Sequence, residues 1–95
     1  MTMAELRQHR DEILDIARNC GISDVQVFGL VARGDSRADS DVDFLVEVEA
    51  GGTILAVSGF LDEVSELLGR PVHVVSSGGL SGSFGSHVRA EATPL

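Results

Sequence analysis

The sequence predicts an α+β fold, in which a small mixed β-sheet of about three to four strands has helices packed on one face. Three observations support this fold class. The chain has 95 residues, the size of a single domain, so we treat residues 1–95 as one unit. Two segments have apolar residues at helical spacing. Three shorter segments are rich in valine and bounded by glycine, proline or serine, as strands are.

The two segments with helical periodicity are residues 2–19 and 53–68. In the first, Thr2 and Glu5 have the spacing of a capping box, and the apolar residues form one stripe. In the second, Thr53 is the candidate N-cap, and the apolar residues again recur three, four and seven positions apart. A glycine follows each segment directly or within two residues, which is typical of a helix end.

The candidate strands lie around the second helical segment and give the order α-β-β-α-β, with a short further helix expected over residues 87–92. Residues 31–40 are predicted to form a polar loop. Residues 77–86 are rich in glycine and serine and are expected to be mobile. The three strands are predicted over residues 24–30, 42–48 and 71–76.

Composition excludes several classes of protein. Fifteen acidic residues against seven arginines give a net charge of −8, which argues against direct binding of nucleic acid or of an anionic membrane. Charged residues interrupt the first twenty positions, and no apolar run approaches a membrane span. The single cysteine, Cys20, cannot form an intrachain disulfide, and without a flanking base it is expected to be a buried structural thiol. We therefore expect a soluble cytoplasmic protein.

An acidic pair follows a glycine at the end of the first strand. Gly29 ends that strand, and Asp41 and Asp43 lie at the start of the next. Strand periodicity places both carboxylates on one face, roughly 6.5–7 Å apart, where like charges repel. Mg²⁺ would remove this repulsion, because it binds one or two carboxylates together with phosphate oxygens. The alternative is a solvated strand edge with turn-forming carboxylates.

Two stretches carry a family resemblance: VFGLVARGD at 27–35 and SDVDFLV at 40–46. Gly29-Leu30 is followed by ten residues and then by Asp-Val-Asp. This spacing resembles the Gly-Ser, ten residues, Asp-x-Asp signature of the minimal nucleotidyltransferases of the polymerase-β superfamily. Residues 67–72 and 91–92 also resemble the second half of that family, so the resemblance extends across the chain.

The resemblance implies a reaction, the transfer of a nucleoside monophosphate from ATP to an acceptor hydroxyl. It implies that Asp41 and Asp43 are catalytic and hold one or two Mg²⁺ ions. It also implies that Gly29 and Leu30 contribute the backbone that cradles the phosphates. Arg33, in the same turn, is expected either to contact phosphate or to pair on the surface with a nearby aspartate, Asp35 or Asp39.

The sequence departs from the family pattern at two positions. Leu30 replaces the family serine and lacks a hydroxyl that could donate to phosphate. His73 replaces a third aspartate on the third strand, and a neutral imidazole is a poor ligand for Mg²⁺. We consider three roles for His73: an inert strand residue, an imidazole that fills the metal corner, or a catalytic general base. We expect weakened or absent catalysis, because a lost metal-binding carboxylate removes charge stabilisation from the transition state.

Minimal nucleotidyltransferases of this length resemble antitoxins that transfer AMP from ATP to a tyrosine of a partner toxin. The resemblance therefore implies a helical HEPN-type toxin as the partner. The departures at Leu30 and His73 leave an alternative open, a catalytically inactive antitoxin or adaptor that acts by binding its partner. A homo-oligomer also remains open.

Overall fold

The protein is described here by a computed structural model of residues 1–37, 40–52 and 54–95. Candidate residues Asp39 and Thr53 lie outside the described residues. The order of elements agrees with the predicted α-β-β-α-β order, with additional short helices and a short closing strand. The helices are α1 (Met3–Arg7), α2 (Arg10–Asn19), α3 (Gly29–Arg33), α4 (Ile54–Leu68) and α5 (Gly82–Glu91), and the strands are β1 (Ile22–Phe28), β2 (Val42–Val48), β3 (Val72–Ser76) and β4 (Thr93–Pro94).

The sheet is mixed and has the strand order β3-β2-β1-β4. Strand β1 runs antiparallel to both β2 and β4, whereas β2 and β3 are parallel. The bounds of β2 agree with the prediction. Strand β1 begins earlier than predicted and ends at Phe28, because Gly29 adopts a positive φ of 76° and starts a helix. The predicted loop over residues 31–40 was therefore wrong for its first three residues, which belong to α3.

The first predicted helix is divided in two. The expected cap is present, since the backbone N–H of Glu5 donates to Thr2 Oγ1 over 3.1 Å. The helix ends near His9, whose N–H bonds the carbonyl three residues back rather than four. A contact distant in sequence accompanies this break. Arg7 donates to the backbone carbonyls of Pro94 and Leu95, which ties α1 to the end of the chain while α2 packs on the sheet.

The main core lies on one face of the sheet, under α2 and α4. The rings of Phe44 on β2 and Phe60 on α4 meet edge to face, with centroids 5.5 Å apart and planes at 89°. The predicted α+β class with a mixed sheet is confirmed, and α2 and α4 pack on one face as expected, whereas α5 packs on the other. The buried members of this core are Leu6, Ile13, Ala17, Ile22, Val25, Val27, Val31, Val42, Phe44, Val46, Phe60, Val64, Val72 and Leu95.

The closing helix covers part of the opposite face. Val88 of α5 is fully buried against Phe28 and Leu45. The expected mobile loop over residues 77–86 instead contains a 3₁₀ turn, Ser77–Gly79, and the first part of α5. Burial of Val88 and the bond from Arg89 Nη2 to the Ser77 carbonyl, 3.1 Å long, hold this segment against the sheet. In the described ranges, no helix is both long enough and apolar enough to span a membrane.

Candidate functional site

The predicted acidic pair and the predicted histidine come together at one edge of the sheet. Asp43 on β2 lies directly across from His73 in the parallel pairing of β2 with β3. His73 Nδ1 is 3.1 Å from Asp43 Oδ1, and His73 Nε2 is 3.3 Å from Asp41 Oδ2. Both carboxylates therefore reach the same imidazole, as their spacing along the strand allows.

The position of His73 determines what this cluster can bind. Each ring nitrogen faces a different carboxylate, so the imidazole bridges Asp41 and Asp43 instead of converging with them on one point. Accordingly, no group of three or more His, Cys, Asp or Glu side chains in the described part of the chain is arranged to hold a metal ion. The ligands that remain for a cation are the two carboxylates.

Gly29 lies against this pair. Its φ of 76° is in the left-handed region, and a Cβ built on it would overlap Asp43 Oδ2. Any other residue at this position would be strained and would also displace the carboxylate. At the junction of β1 and α3, the backbone of Gly29, which has no side chain, therefore lies directly against Asp43. Leu30, the next residue, has 39% of its surface exposed beside this turn.

The electrostatics of the site leave negative charge incompletely compensated. Burial raises the pKa of Asp43 above its ordinary value, the hydrogen bond and charge of His73 lower it, and the charges of Asp41 and Glu91 raise it again. The net direction is upward, so ionised Asp43 is destabilised by its surroundings. Two carboxylates beside an approachable backbone fit Mg²⁺, which binds one or two carboxylates together with phosphate oxygens.

Arg33 does not point freely into solvent. Its Nη1 donates to both carboxylate oxygens of Glu91, at 3.0 Å to Oε1, and its Nε lies 3.8 Å from Asp35 Oδ2. The surface pairing with Asp35 that the sequence suggested is therefore present, together with a closer partner on α5. The expected alternative, contact with phosphate, would require Arg33 to leave or share Glu91.

Glu91 was not foreseen as part of the site. His87 is exposed, and its Nε2 lies 3.0 Å from Glu91 Oε1. The spacing of four residues on one helix was a usable signal for that pair. No sequence signal links Glu91 to Arg33, because 58 positions separate them.

The family follows from a comparison with known proteins. Residues 6–91 match the model of the nucleotidyltransferase domain family. The chain belongs to this family. The matched range includes the Gly29 turn, the acidic pair, His73 and Glu91.

Two relatives are minimal nucleotidyltransferases or protein adenylyltransferases. This chain is 30% identical over 86 residues to the protein adenylyltransferase MntA of Thermococcus cleftensis, and the match covers 90% of this chain and 84% of that protein. A solved structure described as a minimal nucleotidyltransferase is 40% identical, with a TM-score of 0.87, and covers 100% of this chain and 97% of its own. Both support the minimal nucleotidyltransferase resemblance.

A toxin–antitoxin structure with AMP-PNP is also similar in fold. Its TM-score is 0.75 at 17% identity, and the match covers 88% of this chain and 69% of that chain. At this identity the likeness concerns the fold alone. The nucleotidyltransferase fold of this chain thus has neighbours among toxin–antitoxin proteins.

Proposed function

We propose that this protein is a Mg²⁺-dependent protein adenylyltransferase of low activity, which transfers AMP from ATP to a tyrosine of a helical HEPN-type partner toxin. One observation carries the proposal: the bare backbone of Gly29 lies against Asp43, on the sheet face that Asp41 also reaches. A phosphate could approach that backbone while a cation is held by the carboxylates. The adenylyltransferase relative supports a protein as the acceptor of AMP. Because the proposed reaction consumes ATP, we propose a cytoplasmic location.

In the proposed reaction, the tyrosine oxygen attacks the α-phosphorus of ATP. The bond from that phosphorus to the bridging oxygen breaks, pyrophosphate leaves, and the phenol proton passes to solvent or to a base at the site. Asp41 and Asp43 would hold one or two Mg²⁺ ions, which supply neutralisation of phosphate charge when bound. Gly29 would admit the phosphates, and Leu30 would contribute only its backbone N–H.

The low activity follows from His73 and Leu30. The ring nitrogens of His73 lie within 3.3 Å of one oxygen of each carboxylate, so a cation bound there must displace or share the imidazole contact. The imidazole also contributes no negative charge where the family has a third carboxylate. Loss of one electrostatic contributor at a transfer site costs on the order of 10²–10³-fold in rate. A neutral imidazole donates from only one nitrogen, so His73 could bond one of the carboxylates and accept the acceptor proton at its other nitrogen.

The proposal is tested by incubating the chain with α-labelled ATP, Mg²⁺ and a helical HEPN-type protein. We expect label on a tyrosine of that protein. Asp43→Asn should abolish the transfer. Asp24→Asn is the matched control, because Asp24 lies on the same strand pair and bonds only to Gln26 among the contacts described. Label transfer that persists in Asp43→Asn, or that falls equally in Asp24→Asn, would contradict the proposal.

A second candidate function rests on the same histidine. Because His73 bridges both carboxylates, the site is held together without a cation, as a binding module would require. In that case the chain neutralises its partner by contact alone. The same experiment separates the two: no labelled product, with a complex that forms equally well in Asp43→Asn, identifies the binding module.

A further inference from the structure

Glu91 connects the end of α5 to the turn beside the acidic pair. It is the least exposed carboxylate among the ion pairs of the described residues, with 14% of its side chain accessible. Arg33 Nη1 donates to both of its oxygens, and His87 Nε2 lies 3.0 Å from Oε1. Such a two-oxygen, partly buried arrangement restricts geometry far more than an exposed ion pair does.

Arg33 is the last residue of α3, and Gly29 is the first. Five residues make little more than one turn, which is too short to be stable without outside contacts. Three kinds of contact hold α3 from outside: Val31 and Ala32 pack in or against the main core, the helix lies on β1 and β2, and Arg33 reaches Glu91 on α5. A contact that fixes Arg33 therefore fixes the C-terminal end of α3, whose N-terminal residue, Gly29, lies against Asp43.

We infer that Glu91 is a positioning residue of the nucleotide site: by holding Arg33 against α5, it fixes the turn that begins at Gly29 over Asp43. The inference deepens the proposed function and depends on it for the nucleotide. Glu91 does not touch the reacting atoms. Its negative charge is nevertheless felt at Asp43, and the guanidinium of Arg33 offsets that charge.

Glu91→Gln tests this role, because glutamine keeps the size of the side chain and removes its charge. The backbone N–H groups of Gly34 and Asp35 report on α3, since they bond the carbonyls of Val31 and Leu30. We expect their hydrogen exchange to accelerate several-fold, while amides of β2 exchange as in the parent. We also expect the affinity for Mg·ATP to fall by about 10- to 100-fold, the usual effect of removing a supporting residue behind a ligand site.

Asp15→Asn is the matched control, since it removes a carboxylate paired with an arginine on α2, away from the site. It should leave both measurements unchanged. Arg33→Gln removes the same contact from its other end, which keeps the test decisive if Glu91→Gln does not fold. Combining Glu91→Gln with Arg33→Gln should change hydrogen exchange and Mg·ATP affinity no more than either substitution alone, because both remove the same interaction.

Three results overturn the inference: unchanged exchange of Gly34 and Asp35 in Glu91→Gln, equal acceleration across β2, or unchanged affinity for Mg·ATP in a chain that binds it. Equal acceleration would show a general loss of stability and no positioning role. If the parent chain does not bind Mg·ATP, the proposed function is overturned, and the exchange of Gly34 and Asp35 alone decides whether Glu91 holds α3.

Discussion

His73 lies directly across from Asp43 in the parallel pairing of β2 with β3, and its Nδ1 is 3.1 Å from Asp43 Oδ1. A positive or hydrogen-bonding group thus stands where the family resemblance places a third carboxylate. The contact stabilises ionised Asp43 against burial and against the charges of its acidic neighbours. It also occupies an oxygen that a metal ion would use. The first prediction follows from this competition.

Restoring the family residues with Leu30→Ser and His73→Asp should strengthen the binding of Mg·ATP and raise the rate of label transfer. The aspartate adds a ligand of the type that Mg²⁺ prefers and frees the two existing carboxylates, and the serine adds a hydroxyl donor. Isothermal titration with Mg·ATP measures the first effect. Leu55→Ser, at another exposed leucine, is the control for Leu30→Ser. A double variant that binds Mg·ATP no better than the parent would show that the two departures do not limit the site.

Gly29→Ala should lower the affinity for Mg·ATP strongly but reduce the free energy of unfolding only moderately. Alanine at a positive φ costs about 1–2 kcal/mol of unfolding free energy. Gly21→Ala provides a close control, because Gly21 has a φ of 77° and open space around the added Cβ, whereas at Gly29 the Cβ would overlap Asp43. Urea unfolding should give similar losses for both variants, with some excess for Gly29→Ala. Only Gly29→Ala should lose affinity for Mg·ATP, and equal affinities would refute the close approach as a functional feature.

Phe60→Ala should remove a large part of the stability of the protein. Phe60 is fully buried and packs edge to face on Phe44, so its removal leaves a cavity that costs about 3–5 kcal/mol. A small domain has a total stability of roughly 5–15 kcal/mol. Phe84→Ala, at a side chain that is 58% exposed, should change stability by no more than about 0.5 kcal/mol. Chemical denaturation of both variants checks this difference, which similar midpoints would disprove.

Cys20 should react slowly with iodoacetamide near pH 8. Burial raises the pKa of its thiol, and the charge and hydrogen bond of Glu63 raise it further. Because only the thiolate reacts, a raised pKa lowers the reactive fraction at that pH. Glu63→Gln should increase the rate, though not to that of a free thiol, since burial is the larger cause. An unchanged rate in Glu63→Gln would mean that Glu63 does not act on Cys20.

The same shift has a consequence for stability. At pH values below the ordinary pKa of a thiol, Cys20 is protonated in both the folded and the unfolded chain. As the pH rises past the ordinary pKa of a thiol, Cys20 loses its proton in the unfolded chain before it does so in the folded chain. The contribution of the protonated thiol to folding is therefore lost as the pH rises toward the folded pKa, and Glu63→Gln should reduce this loss.

Local pattern predicted much of this fold. The valine-rich run over residues 42–48 placed β2 correctly, and the glycine after the second helical segment marked the end of α4. The break between α1 and α2 was not predictable, because Arg7 bonds carbonyls at the other end of the chain. The ordered start of α5 was missed for a similar reason: its glycines and serines resemble a loop, and burial of Val88 on the sheet outweighs that preference.

The candidate site likewise has some features that follow from local sequence and others that depend on tertiary contacts. The sequence alone determined that Asp41 and Asp43, two residues apart at the start of β2, point the same way and that the preceding strand stops at a glycine, since both depend on geometry within one short stretch of chain. The tertiary structure decided that His73 bridges both carboxylates and that Arg33 is held by Glu91. Those contacts depend on strand register and helix packing, which bring together charges 30 and 58 positions apart. Spacing along the chain carries no information about such pairs, because they form only when the main core orders the elements that bear them.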